Sequence, residues 1–205
     1  MRARWESVRR SLASSVFTLQ AEQEFRTFRA LSPALGRFEC PAALVAYLND
    51  PGGDRDEKDA IYGVLVRAVQ ANGQWVEMAT ALLWLGLWPG LDAIHRRRLK
   101  WFVRQPDALV SEIGDRFSEA IARADLSRVH RFAATLVMNT ERDLVRGLVR
   151  RWKKDEDDLP DDEAFAKRKK AGPFGIPADA LENLNVISLA EQGCPSFPSQ
   201  PAFPY

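Results

Sequence analysis

The chain has 205 residues, 46% hydrophobic and 28% charged, the composition of a globular protein able to bury a substantial core. Lys and Arg number 29 against 28 for Asp and Glu, so the net charge of +1 selects no partner and only the placement of charge can. Its two cysteines, Cys40 and Cys194, stand far apart and outside any CxxC or Cys/His spacing, which argues against a disulfide framework or a zinc site and for a reducing, cytoplasmic setting.

In chain order, Met1 to Arg10 is charged, and Ser11 to Gln20 is too polar for a signal-peptide core. Helical periodicity predicts one long amphipathic helix from Arg4 to Leu31, ended by Ser32-Pro33, because the residue before proline avoids the helical region. Pro41 to Asn49 suits a short helix with proline in its first turn. Asp50-Pro51-Gly52-Gly53 is a loop, and Asp54 with Glu57 resembles a capping box for a helix running to about Ala71 and closed by Asn72-Gly73. The most hydrophobic stretch follows, with Trp75, Trp84, Trp88 and Trp101 among leucines that point to core packing. Its longest apolar run, Met78 to Trp88, is shorter than the about 20 residues a membrane span needs. Gly86, Pro89 and Pro106 separate expected helices at 74–86, 89–104 and 106–124, and a longer helix is expected from Ser127 to Trp152. Asp155 to Glu163 holds seven acidic residues in nine and Lys167 to Lys170 is basic, as in a solvated linker or short exposed helix. A short amphipathic stretch, Asp179 to Gln192, precedes a tail with four prolines from Gly193 to Tyr205, which is expected to be disordered.

The 127–152 segment carries the clearest pattern. At 100° per residue, Val129, Ala133, Leu136, Val137, Leu144 and Leu148 form one apolar face. Arg128, Arg131, Arg142, Arg146 and Arg150 gather on an arc of roughly 100°, with Asp143 the one carboxylate near it. A guanidinium donates two parallel hydrogen bonds to a phosphate, and several in line gain affinity by counterion release. A solvated face is the competing reading, although such faces usually mix signs.

Three stretches resemble region 2 of extracytoplasmic-function sigma factors, the subunits that direct bacterial RNA polymerase to promoters. Leu91-Asp92-Ala93-Ile94-His95-Arg96-Arg97-Arg98-Leu99-Lys100-Trp101-Phe102 is similar to that family's first helix. Pro106-Asp107-Ala108-Leu109-Val110-Ser111-Glu112-Ile113 resembles its DLVQE motif. Phe132, Leu136, Val137, Asn139, Asp143 and Arg146 match the spacing of its promoter-reading helix. The resemblance implies that Asp107, Leu109, Val110, Glu112 and Arg116 contact core RNA polymerase. It also implies that Asn139, Asp143 and Arg146, on the arginine-bearing helix, meet the minus-ten element of promoter DNA. Gly114, Met138 and Phe132 depart from the pattern, and the residues after the acidic segment are too few for the family's second DNA-binding domain. The likeness covers residues 91–151.

The expected fold is therefore all-α, a multi-helix bundle with a sigma region 2-like helical core and a flexible C-terminal tail. Its expected divisions are an N-terminal helical segment at 1–88 with no assigned role, the sigma-like module at 89–152, a charged linker at 153–177, and a short helix with a proline-rich tail at 178–205. The expected function is a sigma-like, DNA-binding transcription protein with core polymerase and promoter DNA as partners, an anti-sigma-like regulator as a further one, and no membrane. A helical protein-interaction module without DNA binding, or a truncated sigma-factor fragment, is the alternative. Nothing argues for an enzyme or cofactor: HExxH, GxSxG and a Gly-rich phosphate loop are missing, and His95 and His130, the two histidines, read as surface or contact residues without metal-ligand spacing. Trp152, at the end of the basic helix, could stack on a base or anchor packing.

Overall fold

A helix that is apolar all round has nowhere to go but the middle of a bundle. Val76–Gly86 (α6) is such a helix: every residue from Met78 to Gly86 except Thr80 is buried. Around it stand Arg2–Val16 (α1), Pro41–Asn49 (α4), Arg55–Gln70 (α5) and Trp88–Arg98 (α7). Leu19–Arg29 (α2) and the single turn Pro33–Gly36 (α3) close one side, and Pro106–Ala122 (α8) packs on α5 and α7. Phe132–Asp157 (α9) is the last helix described. This computed structural model describes residues 2–30, 32–103 and 105–157, with side chains as far as Arg151. Residues up to Arg151 form one compact unit. It is an all-α bundle, with no strand among the described residues, and the boundary expected at residue 88 falls inside it.

Three expected elements are redrawn. The single helix from Arg4 to Leu31 is two, because the Thr18 hydroxyl accepts the Ala21 N–H at 3.1 Å and starts a new helix at Leu19. The 89–104 helix stops at Arg98 and tightens into a 3-10 turn, Leu99–Phe102, that buries Trp101 and Phe102. The helix expected from Ser127 begins at Phe132. Upstream of it, Asp125 accepts from the Ser127 N–H at 2.9 Å and the Ser127 hydroxyl at 2.6 Å, winding a separate turn. Elsewhere the caps stand where the residues suggest. Asp54 accepts from the Asp56 and Glu57 N–H groups at 2.8 and 3.0 Å, and Asn72 takes the left-handed conformation (φ 48°) after α5. Glu57 does not complete the box; it meets the Tyr47 hydroxyl and Arg37 instead. The 153–177 linker begins inside α9, which runs to Asp157, and the remainder of it, the 179–192 stretch and the tail lie outside the described residues.

Among the described residues no helix is long and apolar enough to cross a membrane.

Candidate nucleic-acid interface

The position of α9 is set by two glycines and a set of ion pairs. A Cβ on Gly90 of α7 would lie 2.8 Å from a Val137 methyl, and one on Gly63 of α5 would lie 3.1 Å from the Phe132 ring. Both helices therefore come closer to α9 than side chains would permit. Leu136, Leu144 and Leu148 are buried, as the apolar periodicity requires, and Thr140 between them satisfies its hydroxyl on the Leu136 carbonyl at 2.7 Å.

Glu141 fastens one flank of α9 to the end of α7. Its carboxylate takes Arg97 at 2.7 Å and Arg98 at 2.6 Å. Burial pushes the Glu141 pKa up, but Arg97 and Arg98 outweigh that and hold it below the ordinary value. Further along, Arg151 meets Glu112 of α8 at 2.7 Å, and Arg116 lies against Gly147 while pairing with Glu112 and Glu119.

Asp59 of α5 caps the N-terminus of α9: its Oδ1 accepts the Ala133 N–H at 3.2 Å. Burial raises the pKa of this carboxyl, partly offset by that N–H and by Arg131. Sequence reasoning missed this residue, although the signal was present. Asp59 precedes Tyr62, Gly63 and Val66 by three, four and seven positions, a carboxylate in an apolar stripe.

Of the five arginines, Arg128 and Arg131 are not on the helix. Arg128 is 86% exposed beside Asp125, and Arg131 pairs loosely with Asp56 and Asp59 at 3.5 and 3.9 Å. Arg142, Arg146 and Arg150 do line α9, all exposed, in two axial steps of about 6 Å. Asn139 is half-buried on the same outer arc. Asp143 gathers cations: Arg142 at 3.2 Å, Arg123 at the C-cap of α8 at 3.3 Å and Arg146 at 4.0 Å. Arg123 was not among the expected residues, because its tie to α9 is purely tertiary. The other half of the outer arc is apolar, with Met138 47% exposed and Val145 and Val149 half-buried.

The residues assigned to polymerase behave differently. Leu109 is fully buried and Val110 nearly so, both in the bundle core. Asp107 is exposed but pairs with Arg4 of α1 at 3.0 Å, and Glu112 and Arg116 are tied to one another and to α9. No partner could take Leu109 or Val110 without opening the bundle.

His95 also departs from expectation. It is 1% exposed, stacked on Trp5, because α1 covers the face of α7 that its arginine neighbours made look solvated. Trp84, Trp88 and Trp101 are core residues, Trp75 is half-buried, and the Trp152 side chain lies outside the described set. Among the described residues no group of three His, Cys, Asp or Glu could hold a metal ion. Compared with family models, curated proteins and solved structures, the chain finds no match.

Proposed function

We propose that this chain is a sigma-like, cytoplasmic DNA-binding protein of transcription that holds nucleic acid against the outer face of α9. One observation carries the reading: Arg142, Arg146 and Arg150 point outward in line, with Asp143 the one carboxylate among them. Other arginines on the same bundle are engaged in structural pairs, such as Arg97 and Arg98 on Glu141. Arg142 and Arg146 lean only on Asp143 of their own helix, and exposed guanidinium groups in a row are what phosphate recognition requires. Asn139, on the same arc, supplies an amide able to donate to and accept from a base edge. Core polymerase remains a partner under this reading only through surfaces other than Leu109 and Val110.

The test is fluorescence anisotropy of labelled single-stranded and duplex DNA titrated with the purified chain across a salt series. Binding that weakens steeply with salt supports the proposal. No binding at 50 mM salt by a folded protein rejects it.

A second reading, a helical protein-docking module, is favoured by the apolar half of the α9 face, where Met138, Val145 and Val149 lie beside the arginines. It predicts that Met138→Glu abolishes capture of a protein partner while DNA binding is missing from the start. Co-elution with purified core polymerase at low salt examines the partner that the sigma-like reading names.

A further inference from the structure

The first turns of the N-terminal helix dock on the bundle through an aromatic box. Trp5 of α1 is fully buried, its ring 4.4 Å from Trp88 and 4.8 Å from His95, the latter at an interplanar angle of 3°. Trp84 of α6 closes a third side at 6.3 Å. The Trp5 indole N–H donates to Asp92 Oδ1 at 3.0 Å, while the other Asp92 oxygen faces Arg96 at 3.1 Å and Arg2 at 3.8 Å. Asp92 therefore already serves an indole and two guanidinium groups. The His95 Nε2 is buried and finds no hydrogen-bond partner among the described residues.

A neutral imidazole can leave Nε2 as a bare acceptor at modest cost, whereas an imidazolium would bury a charged donor with nothing to receive it. We propose that this stack is an acid-released clasp, in which protonation of His95 frees the N-terminal half of α1 from α7.

His95 faces charges from two helices. From α1 come Arg2, which opposes the proton, and Glu6, which favours it. From α7 come Asp92, which favours the proton but is committed as described, and Arg96, bound to Asp92. α6 contributes Trp84, which has no charge. Arg9 lies over the Trp88 ring at 5.9 Å. The Trp5 face would attract an imidazolium and offsets part of the penalty. Burial nevertheless dominates and holds the His95 pKa below its ordinary value.

The C-terminal half of α1 has a separate anchor, with Leu12, Ala13 and Val16 packed on Ala81 and Leu85. The Arg4–Asp107 pair, with side chains 56% and 60% exposed, holds the first turn weakly. Release is thus confined to residues 2–10, and it would uncover Trp84 and Trp88.

The sign follows from linkage. A histidine that resists its proton only when docked favours the undocked state once pH falls below the ordinary value of about 6.5. One proton changes the opening constant by at most about tenfold per pH unit, so about tenfold is expected between pH 7.5 and 5.5.

Hydrogen exchange of the intact chain reads this directly. The amides of Glu6 to Arg10 bond within the helix and report its first turns; rates are corrected for intrinsic pH dependence. In the wild-type chain and in His130→Gln, their protection is expected to fall about tenfold from pH 7.5 to 5.5. Protection at Leu12 to Val16 and in α5 should hold. In His95→Phe, which keeps the stacked ring without the proton, the fall should shrink to less than twofold. If protection in 6–10 is the same at both pH values, if α5 falls in parallel, or if His95→Phe loses protection equally, the clasp is wrong. Should His95→Phe not fold, the ring resonance of His95 in the wild-type chain decides. Docked, that ring must titrate below the ordinary value of about 6.5 while protection in 6–10 falls with pH, and a docked ring that titrates at or above the ordinary value overturns the proposal.

Discussion

Replacing Arg142, Arg146 and Arg150 together with alanine gives the sharpest test of the α9 face. Arg142, Arg146 and Arg123 meet the Asp143 carboxylate and Arg150 follows one turn on; with Glu119, which pairs with Arg123, this is a local set of four cations and two anions with a net two positive charges. The triple substitution leaves Arg123 with Asp143 and Glu119, a net one negative charge. Each phosphate contact contributes about 0.9 to the slope of log K against log salt on duplex DNA and about 0.7 on single strands. Losing three contacts should flatten the slope by about 2.7 on duplex and about 2.1 on single strands. Over the fourfold range from 50 to 200 mM salt, those slopes correspond to about 40-fold and about 20-fold in affinity. All three side chains are exposed, so the variant should fold with a stability change within about 0.5 kcal/mol. Anisotropy titrations at four salt concentrations measure both slope and affinity. A wild-type slope that survives the triple substitution would refute the reasoning, because the counterions released would then come from elsewhere on the protein.

Asp143→Asn should act in the opposite direction, steepening the salt slope by up to about one contact's worth, since it removes the anion that competes with phosphate for Arg142, Arg146 and Arg123; the same titrations show it. Gly90→Ala places a methyl 2.8 Å from Val137 and should cost about 1–3 kcal/mol in urea unfolding, restored in part by Val137→Ala. Asp59→Ala removes the cap of α9 and should cost about 0.5–2 kcal/mol in the same assay, more than Asp56→Ala, whose carboxylate is exposed. Glu141→Gln should cost about 1–3 kcal/mol at neutral pH. Because Glu141 is held below its ordinary pKa when folded, its contribution is full above the unfolded value of about 4.3 and disappears as pH falls through the folded value. Wild type and variant should therefore converge in acid unfolding curves.

The sequence by itself determined the helical class, because apolar residues recurring every three to four positions stabilise a helix wherever it packs. It also determined most punctuation, since Pro41, Asp54, Asn72 and Pro106 act through their own backbone geometry and need no distant partner. The arginine row was readable on the same basis, but only from residue 132 onward.

What it could not determine were the features that depend on a residue far along the chain. α9 starts at Phe132 because Asp59, 74 positions before Ala133, supplies its cap, and no local rule contains that distance. Leu109 and Val110 look the same in a motif whether they face a partner or the core, and the packing of α8 on α5 and α7 placed them inside. His95 stands beside three arginines, a neighbourhood that reads as solvent, yet Trp5 covers it from 90 positions away. The N-terminal segment had no role in sequence, and the tertiary structure gives it one: α1 closes the aromatic face of α6 and α7. Periodicity states which face of a helix is apolar; only the assembled bundle decides what covers it, and so which charged and titratable groups remain for a ligand or a proton.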